Sequence, residues 1–174
     1  MLSGRSAIGL DEEGVEQATR LAARLAAVPL AAVVSSPRHR ATQTAGIVAD
    51  RHGLTVTIDD GLDEIDFGGW SGRSFADLAN DPAWQAWNTA RATAATPTGE
   101  TMAAATARAW GAIRRAGAGP TLFVSHADII RGVVADVLGL GYDRVFAFDC
   151  NPASLTTIEL WDGGARLVGL NARP

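Results

Sequence analysis

The sequence contains no lysine, since all fifteen basic residues among its 174 positions are arginine. Together with the abundance of alanine and glycine, this absence indicates coding bias, so an arginine supports phosphate recognition only where its position does too. Only one cysteine, Cys150, is present, which excludes an internal disulfide and a metal site built from paired cysteines. We expect Cys150 to behave as a small buried hydrophobe rather than as a nucleophile.

Long apolar runs are also lacking, and none approaches the ~20 residues that a membrane-spanning helix needs. The opening "MLSGRSAIG" has neither the charged start nor the apolar core of a signal peptide. A net charge of −4 gives no general attraction for nucleic acid. We therefore expect one cytoplasmic domain over residues 1–174, with no membrane or nucleic-acid partner, and nothing in the sequence indicates its oligomeric state.

Apolar spacing predicts two units in which a short strand leads directly into a helix. The first has a strand ending before Ser36, which is predicted to cap a helix with Pro37 at its first position and Gly53 at its end. The second has an apolar strand over residues 122–125, then His126, then a helix that ends at Gly139. Each unit places polar residues between strand and helix.

Other segments complete the predicted fold. Asp11 is predicted to cap a first helix whose buried face includes Val15 and Leu21, and Asp81 and Thr98 are predicted to cap two more. The tail alternates apolar and polar residues around Asp162-Gly163, which is typical of a hairpin. This order predicts an α/β sandwich, mostly parallel, with an antiparallel edge.

Two polar clusters follow predicted strands, one containing Arg38 to Arg40 and the other Ser125 to Asp128. Because ligands in open α/β sheets collect at the carboxyl ends of strands, where helix N-termini favour anions, we expect the arginine pair Arg38 and Arg40 to converge with His126 on one anion. A third loop, "DEIDF", adds carboxylates, among which Glu64 and Asp66 stand after another strand. Asp128 is interpreted as a helix cap.

Four motifs in order, "SSPRHRATQTA", "LDEIDFGGWSG", "PTGET" and "SHADIIRGVV", resemble the histidine phosphatase superfamily, also called the phosphoglycerate mutase-like family. The resemblance covers nearly the whole chain and implies a three-layer α/β/α sandwich. It implies that Arg40 and His126 bind phosphate, that His126 and Glu64 are catalytic, and that Glu64 protonates the leaving oxygen. It implies reaction through a phosphohistidine, with no metal or cofactor, on a small phosphorylated metabolite.

The family's nucleophile belongs to an Arg-His-Gly at the end of its first strand, and this sequence contains Arg51-His52-Gly53. That triplet follows a predicted helix rather than a strand, and Gly53 is explained as the helix stop. "MLSGRSAIG" resembles the loop that follows the family's motif, so we expect the first strand and its nucleophile to be missing from this chain. His39 is expected at the surface, because adjacent helical residues point about 100° apart.

Two hypotheses remain open. In one, the protein begins upstream and is a phosphatase; in the other, Met1 is genuine and the protein is a non-catalytic relative that binds a phosphorylated ligand or a partner. The segment between Glu64 and Glu100 is short beside the family's mutases, which favours a phosphatase over a phosphoglycerate mutase-type phosphotransferase. Sugar phosphates, phosphoglycerate-like acids and the nucleotide-loop phosphate of cobalamin synthesis are all open as substrates.

Overall fold

The computed structural model of the protein describes residues 1–173, which form six α-helices and five β-strands. The helices are α1 (Glu12–Leu25), α2 (His39–His52), α3 (Phe75–Ala79), α4 (Pro82–Thr89), α5 (Met102–Arg115) and α6 (Ala127–Leu138). The strands are β1 (Ala32–Ser35), β2 (Val56–Ile58), β3 (Thr121–Val124), β4 (Leu155–Trp161) and β5 (Gly164–Ala172). The predicted α/β class is confirmed.

Three of the strands form a parallel sheet in the order β2-β1-β3. Val33 lies opposite Val56 on one side and Leu122 on the other, and Ser35 lies opposite Val124. The carboxyl ends of these strands therefore meet at one edge. β4 and β5 confirm the predicted antiparallel element, and over residues 1–173 they form a two-stranded sheet of their own.

Helices cover both faces of the parallel sheet. Consecutive residues of β1 point to opposite faces, and on each face they pack against a helix. Val33 packs in a cluster with Leu21 of α1 and Val48 of α2. Val34 packs on the other side against Ala112 of α5. The larger core continues on that side through α5 and α6, which gives the three layers.

Several predicted helix ends are confirmed. The Asp11 side chain accepts a hydrogen bond from the Gly14 N–H and caps α1, and Asp81 caps α4. Gly53 ends α2 at φ 63°, and Gly139 ends α6 at φ 66°, both in the left-handed region that glycine tolerates. Arg51-His52-Gly53 is therefore the terminus of a helix.

Other predicted helix starts are wrong. α2 begins at His39 with Arg38 as its N-cap residue, whereas the Ser36 hydroxyl oxygen accepts from the Arg38 N–H at 3.2 Å and is hydrogen-bonded to the His126 ring at 2.7 Å. α5 is capped by Thr101, whereas Thr98 donates its hydroxyl hydrogen to the Asp66 carbonyl. In α1, Leu21 is buried as predicted, but Val15 is 41% exposed.

Residues 1–10 contain no helix or strand. They lie against the loop that precedes α3: the Leu2 N–H donates to the Arg73 carbonyl at 2.9 Å, and the Gly72 N–H donates to the Leu2 carbonyl at 2.8 Å. Gly4 carries a φ of 49°. This segment reaches the carboxyl edge of the sheet, where its carbonyls contact arginines.

Candidate active site

Arg40, Glu64 and His126 come together at the carboxyl edge of the sheet. Arg40 lies in the first turn of α2, His126 directly precedes α6, and Glu64 lies in the loop beyond β2. Arg40 Nη2 is 3.0 Å from His126 Nδ1. Glu64 Oε2 is 3.9 Å from each of those two nitrogens. The three side chains can therefore all contact one small ligand.

The hydrogen bonds around His126 determine its protonation. A guanidinium only donates, so Nδ1 must be the acceptor opposite Arg40, and the ring hydrogen lies on Nε2. Nε2 then donates to Ser36 Oγ at 2.7 Å. Burial, and next the charge of Arg40, lower the pKa of His126 to about 3. His126 is thus neutral at neutral pH.

Glu64 is shifted in the opposite direction. Its side chain is only 14% exposed, and its Oε1 accepts a hydrogen bond from the Ile65 N–H at 2.9 Å. Burial, and next the negative charge of Asp128, raise the pKa of Glu64 to about 8. A carboxyl that keeps its proton at neutral pH is able to act as a general acid.

Arg40 has hydrogens left over for a ligand. Its Nη2 donates to the Gly4 carbonyl at 2.8 Å as well as to His126. Its Nη1 is buried and has no partner within residues 1–173. Burial lowers the pKa of Arg40, an effect that the neighbouring Glu64 opposes. A buried N–H without an acceptor is costly unless an anion meets it.

Arg108 of α5 fixes the loop that carries Glu64. Its Nη1 donates to the carbonyls of Gly61 and Asp63 at 2.9 and 2.5 Å, and its Nη2 donates to the Glu64 carbonyl at 3.0 Å. Its Nε donates to Glu100 at 2.9 Å. Sequence reasoning missed Arg108, since a helical arginine in a lysine-free chain gives no signal of its own.

Two further arginines, Arg38 and Arg5, lie beside the site, and of these only Arg5 was not predicted. Arg38 Nε is 2.9 Å from the Asp63 carboxylate, and Arg5 Nε is 3.4 Å from the same group. Arg5 also pairs with Asp66 at 3.2 Å and with Glu100 at 3.5 Å. Arg38 was visible in its motif, but nothing in "MLSGRSAIG" indicated that Arg5 crosses to the loop after β2.

The other candidates lie elsewhere. His39 is exposed on α2. His52 is twelve positions beyond Arg40 on the same helix, about 18 Å along its axis at 1.5 Å per residue. Asp128 does not cap α6; it pairs with Arg91 at 3.0 Å and with Arg131 at 3.7 Å. Of the three histidines, His126 alone lies at the site.

Residues 1–173 contain no group of three or more His, Cys, Asp or Glu side chains placed to hold a metal ion. Within the same residues, every helix is too short or too polar to cross a bilayer.

This chain belongs to the histidine phosphatase superfamily (branch 1), whose family model matches residues 1–173. A bifunctional protein of Mycobacterium tuberculosis is 34% identical over 97% of the chain, which spans about half (48%) of that relative's length. The adenosylcobalamin/alpha-ribazole phosphatase of Salmonella typhi is 30% identical, with 99% of this chain and 89% of that protein covered.

Solved structures agree with that assignment. A mycobacterial glucosyl-3-phosphoglycerate phosphatase superposes with a TM-score of 0.85 at 29% identity, covering 98% of this chain and 90% of that one. A Bacillus stearothermophilus protein, YhfR, superposes with a TM-score of 0.90 at 27% identity, covering 99% and 89%. The predicted phosphoglycerate mutase-like fold is confirmed.

Proposed function

We propose that this chain provides the phosphate-binding and proton-donating half of a phosphomonoester hydrolase acting on a small phosphorylated metabolite. The observation that carries the proposal is the partnerless Nη1 of Arg40 beside the neutral ring of His126 and the protonated carboxyl of Glu64. Phosphate-ester cleavage needs two kinds of group around it: a hydrogen-bond donor that stabilises the charge on the phosphoryl oxygens, and an acid that gives a proton to the leaving oxygen. Phosphatases among the relatives support the same reaction class.

The phosphoryl group would lie between α2 and α6. Both helices exceed ten residues, and both begin at this edge of the sheet, at His39 and Ala127. Their N-terminal N–H groups and dipoles favour an anion. The two hydrogens on Arg40 Nη1 would be donated to two oxygens of the phosphoryl group, or both to one of them. His126 adds a third contact once a proton occupies Nδ1.

The reaction proceeds in two steps. A histidine nitrogen attacks phosphorus, the bond from phosphorus to the ester oxygen breaks, and Glu64 gives its proton to that oxygen as the alcohol leaves. Water then attacks the phosphohistidine, and the Glu64 carboxylate takes a proton from it while the bond from phosphorus to nitrogen breaks. Glu64 is restored, and inorganic phosphate is released.

The attacking histidine is not one of the three in this chain. A nucleophile needs a free lone pair about 3–3.5 Å from phosphorus. The only lone pair of the His126 ring is engaged by Arg40, and its other nitrogen carries a hydrogen that Ser36 accepts. His39 and His52 lie away from the site. We infer that a segment outside these residues supplies the nucleophile, and that the chain alone is inactive or impaired.

The second candidate is a non-catalytic protein that binds a phosphorylated ligand. The same occupation of both His126 nitrogens favours it, because the site holds an anion receptor but no free base. The two candidates share phosphate binding and differ only in turnover.

Binding tests what the two candidates share. We expect the chain to bind inorganic phosphate or vanadate in calorimetry near neutral pH. Arg40→Gln should weaken binding by about 1.5–3 kcal/mol, the loss typical of a charged hydrogen bond. Arg20→Gln is the matched control, since Arg20 lies exposed on α1 and makes only an ion pair with Glu16. Equal affinity for both variants, or no binding at all, would contradict the proposal.

A further inference from the structure

Asp63 is a buried carboxylate that the proposed reaction does not use. It lies beside Glu64 in the loop beyond β2 and is only 6% exposed. Its Oδ1 accepts a hydrogen bond from the Glu64 N–H at 2.7 Å and lies 2.9 Å from Arg38 Nε. Its Oδ2 lies 3.4 Å from Arg5 Nε. These contacts balance the charge of Asp63, but they do not account for its approach to Ser36.

Ser36 connects Asp63 to the ring of His126. Ser36 is fully buried, and its Oγ accepts from the His126 Nε2–H at 2.7 Å and from the Arg38 N–H at 3.2 Å. A hydroxyl oxygen has two lone pairs and one hydrogen, so both lone pairs are used and the hydrogen needs an acceptor of its own. Within residues 1–173 that acceptor is Asp63 Oδ1, at 3.5 Å.

The three side chains therefore form a directed chain of hydrogen bonds, which we call the relay: His126 donates to Ser36, and Ser36 donates to Asp63. Hydrogen bonds in such a chain polarise one another. The carboxylate of Asp63 can thus stabilise charge on the His126 ring without touching it. The relay ends at Nε2, on the opposite side of the ring from the Nδ1 that faces Arg40.

We propose that Asp63 is a positioning residue, which acts through Ser36 to keep Nδ1 of His126 turned towards the anion and to balance the charge of the ring when Nδ1 takes a proton. In that step the proton binds Nδ1, while the Nε2 hydrogen and the Ser36 hydrogen stay on their own atoms. Nothing is oxidised or reduced. The inference rests on the proposed function, since it takes His126 as a ligand of the anion.

The charged groups around His126 show why a balancing carboxylate is needed. Burial, and next four guanidinium groups, lower the pKa of His126; the four are Arg40 and Arg38 at the start of α2, Arg108 of α5 and Arg5. Glu64 lies 3.9 Å from Nδ1 but keeps its own proton at neutral pH. On α6, Asp128 is paired with Arg91 and Arg131. Asp63 is the ionised carboxylate that hydrogen bonds join to the ring.

The length of the last link fits a ring that is neutral until an anion arrives. A hydroxyl that donates to a carboxylate typically does so at about 2.5–2.7 Å, whereas Ser36 Oγ stands 3.5 Å from Asp63 Oδ1. A charged ring donates more strongly to Ser36, which makes the Ser36 hydrogen a better donor in turn. We therefore expect this contact to shorten when the anion is bound.

Titration of His126 by nuclear magnetic resonance, at saturating sulfate, tests the relay. Asp63→Asn keeps the shape of the side chain and an oxygen for the Glu64 N–H, but it removes the charge. We expect it to lower the titration midpoint of His126 by about one pH unit or more, because an opposite charge nearby favours the protonated ring. Asp66→Asn is the matched control: Asp66 lies in the same loop and pairs with Arg5 at 3.2 Å, but it is not hydrogen-bonded to Ser36. It should move the midpoint much less.

Ser36→Ala separates the relay from a role in holding the loop. If Asp63 acts through Ser36, Asp63→Asn should shift the midpoint much less in the Ser36→Ala background than in the unsubstituted protein. An equal shift in both backgrounds would show that Asp63 only holds Arg38 and Arg5 in place, and it would overturn the proposal. Should Ser36→Ala fail to fold, the comparison of Asp63→Asn with Asp66→Asn still decides.

Equal shifts in those two aspartate variants would also overturn the relay. Sulfate affinity, taken from the same titrations of the unsubstituted protein, reports separately on the anion site. Absence of sulfate binding would contradict the proposed function and the relay with it. Sulfate binding with equal midpoints would contradict the relay alone.

Discussion

Replacing Glu64 by glutamine should change how the stability of this protein depends on pH. Glu64 lies buried against Arg40 and His126, and burial raises its pKa from 4.5 to about 8. A group whose pKa is higher in the folded state adds stability that is lost as pH rises towards the folded value. Glutamine has the same shape and keeps the acceptor for the Ile65 N–H, but it does not titrate.

The magnitude follows from the two shifted groups. His126 acts oppositely: its pKa falls from 6.5 to about 3, so its contribution rises with pH between those values and is constant above them. The two effects offset each other between pH 4.5 and 6.5. Between pH 6.5 and about 8, Glu64 is the only one of these two groups that still alters the free energy of unfolding. At about 1.36 kcal/mol per pH unit, the free energy of unfolding falls by about 2 kcal/mol.

Urea unfolding at about pH 6.5 and about pH 8 measures this difference directly. We expect the free energy of unfolding of the unsubstituted protein to fall by roughly 2 kcal/mol from the lower pH to the higher one. For Glu64→Gln the fall should be small. Glu12→Gln, at the exposed start of α1, is the control and should behave as the native sequence. The reasoning is refuted if Glu64→Gln loses as much as the native sequence, or if the native sequence loses nothing.

Three further predictions concern the anion site. Residues 1–174 alone should hydrolyse p-nitrophenyl phosphate with little or no turnover; robust turnover lost on changing His39 or His52 would make that histidine the nucleophile. Binding of sulfate, which does not itself titrate near neutrality, should be accompanied by uptake of a proton, measured by calorimetry in buffers of different ionisation enthalpy. His126→Asn should abolish the uptake, because Nδ1 of His126 is the atom that receives the proton. A version extended upstream by an apolar strand ending in Arg-His-Gly should both unfold at higher urea concentration and gain turnover, whereas equal midpoints would show that the free edge of β3 costs little.

Helix ends could be predicted from the sequence where the interactions that form them involve only neighbouring residues. Asp11 and Asp81 cap helices whose own N–H groups they accept, and Gly53 and Gly139 adopt the left-handed conformation that ends a helix. The predictions that Ser36 and Thr98 cap helices were wrong, and the hydroxyls of both residues have partners far away in the sequence. Ser36 binds the His126 ring, ninety positions away, and Thr98 binds the Asp66 carbonyl.

The site was predictable only in part, for a related reason. Arg40 and His126 follow neighbouring parallel strands, and the geometry of such sheets places them at one edge. Arg5 and Arg108 come from a segment without regular structure and from the middle of a helix. Their contacts with the loop around Glu64 span 59 and 44 positions, and no local pattern encodes them.

The charges around the site explain why anion binding and proton uptake should be coupled. Four guanidinium groups, Arg5, Arg38, Arg40 and Arg108, face three carboxylates, Asp63, Asp66 and Glu100. With Glu64 protonated and His126 neutral, these seven groups carry one positive charge, and Asp128 with its partners Arg91 and Arg131 carries another. A dianion between Arg40 and His126 offsets that surplus, and its negative charge beside the buried ring opposes the effects that keep His126 neutral. Protonation of His126 at Nδ1 is then favoured, and it also supplies the N–H that the anion needs once Arg40 has turned its donors towards it.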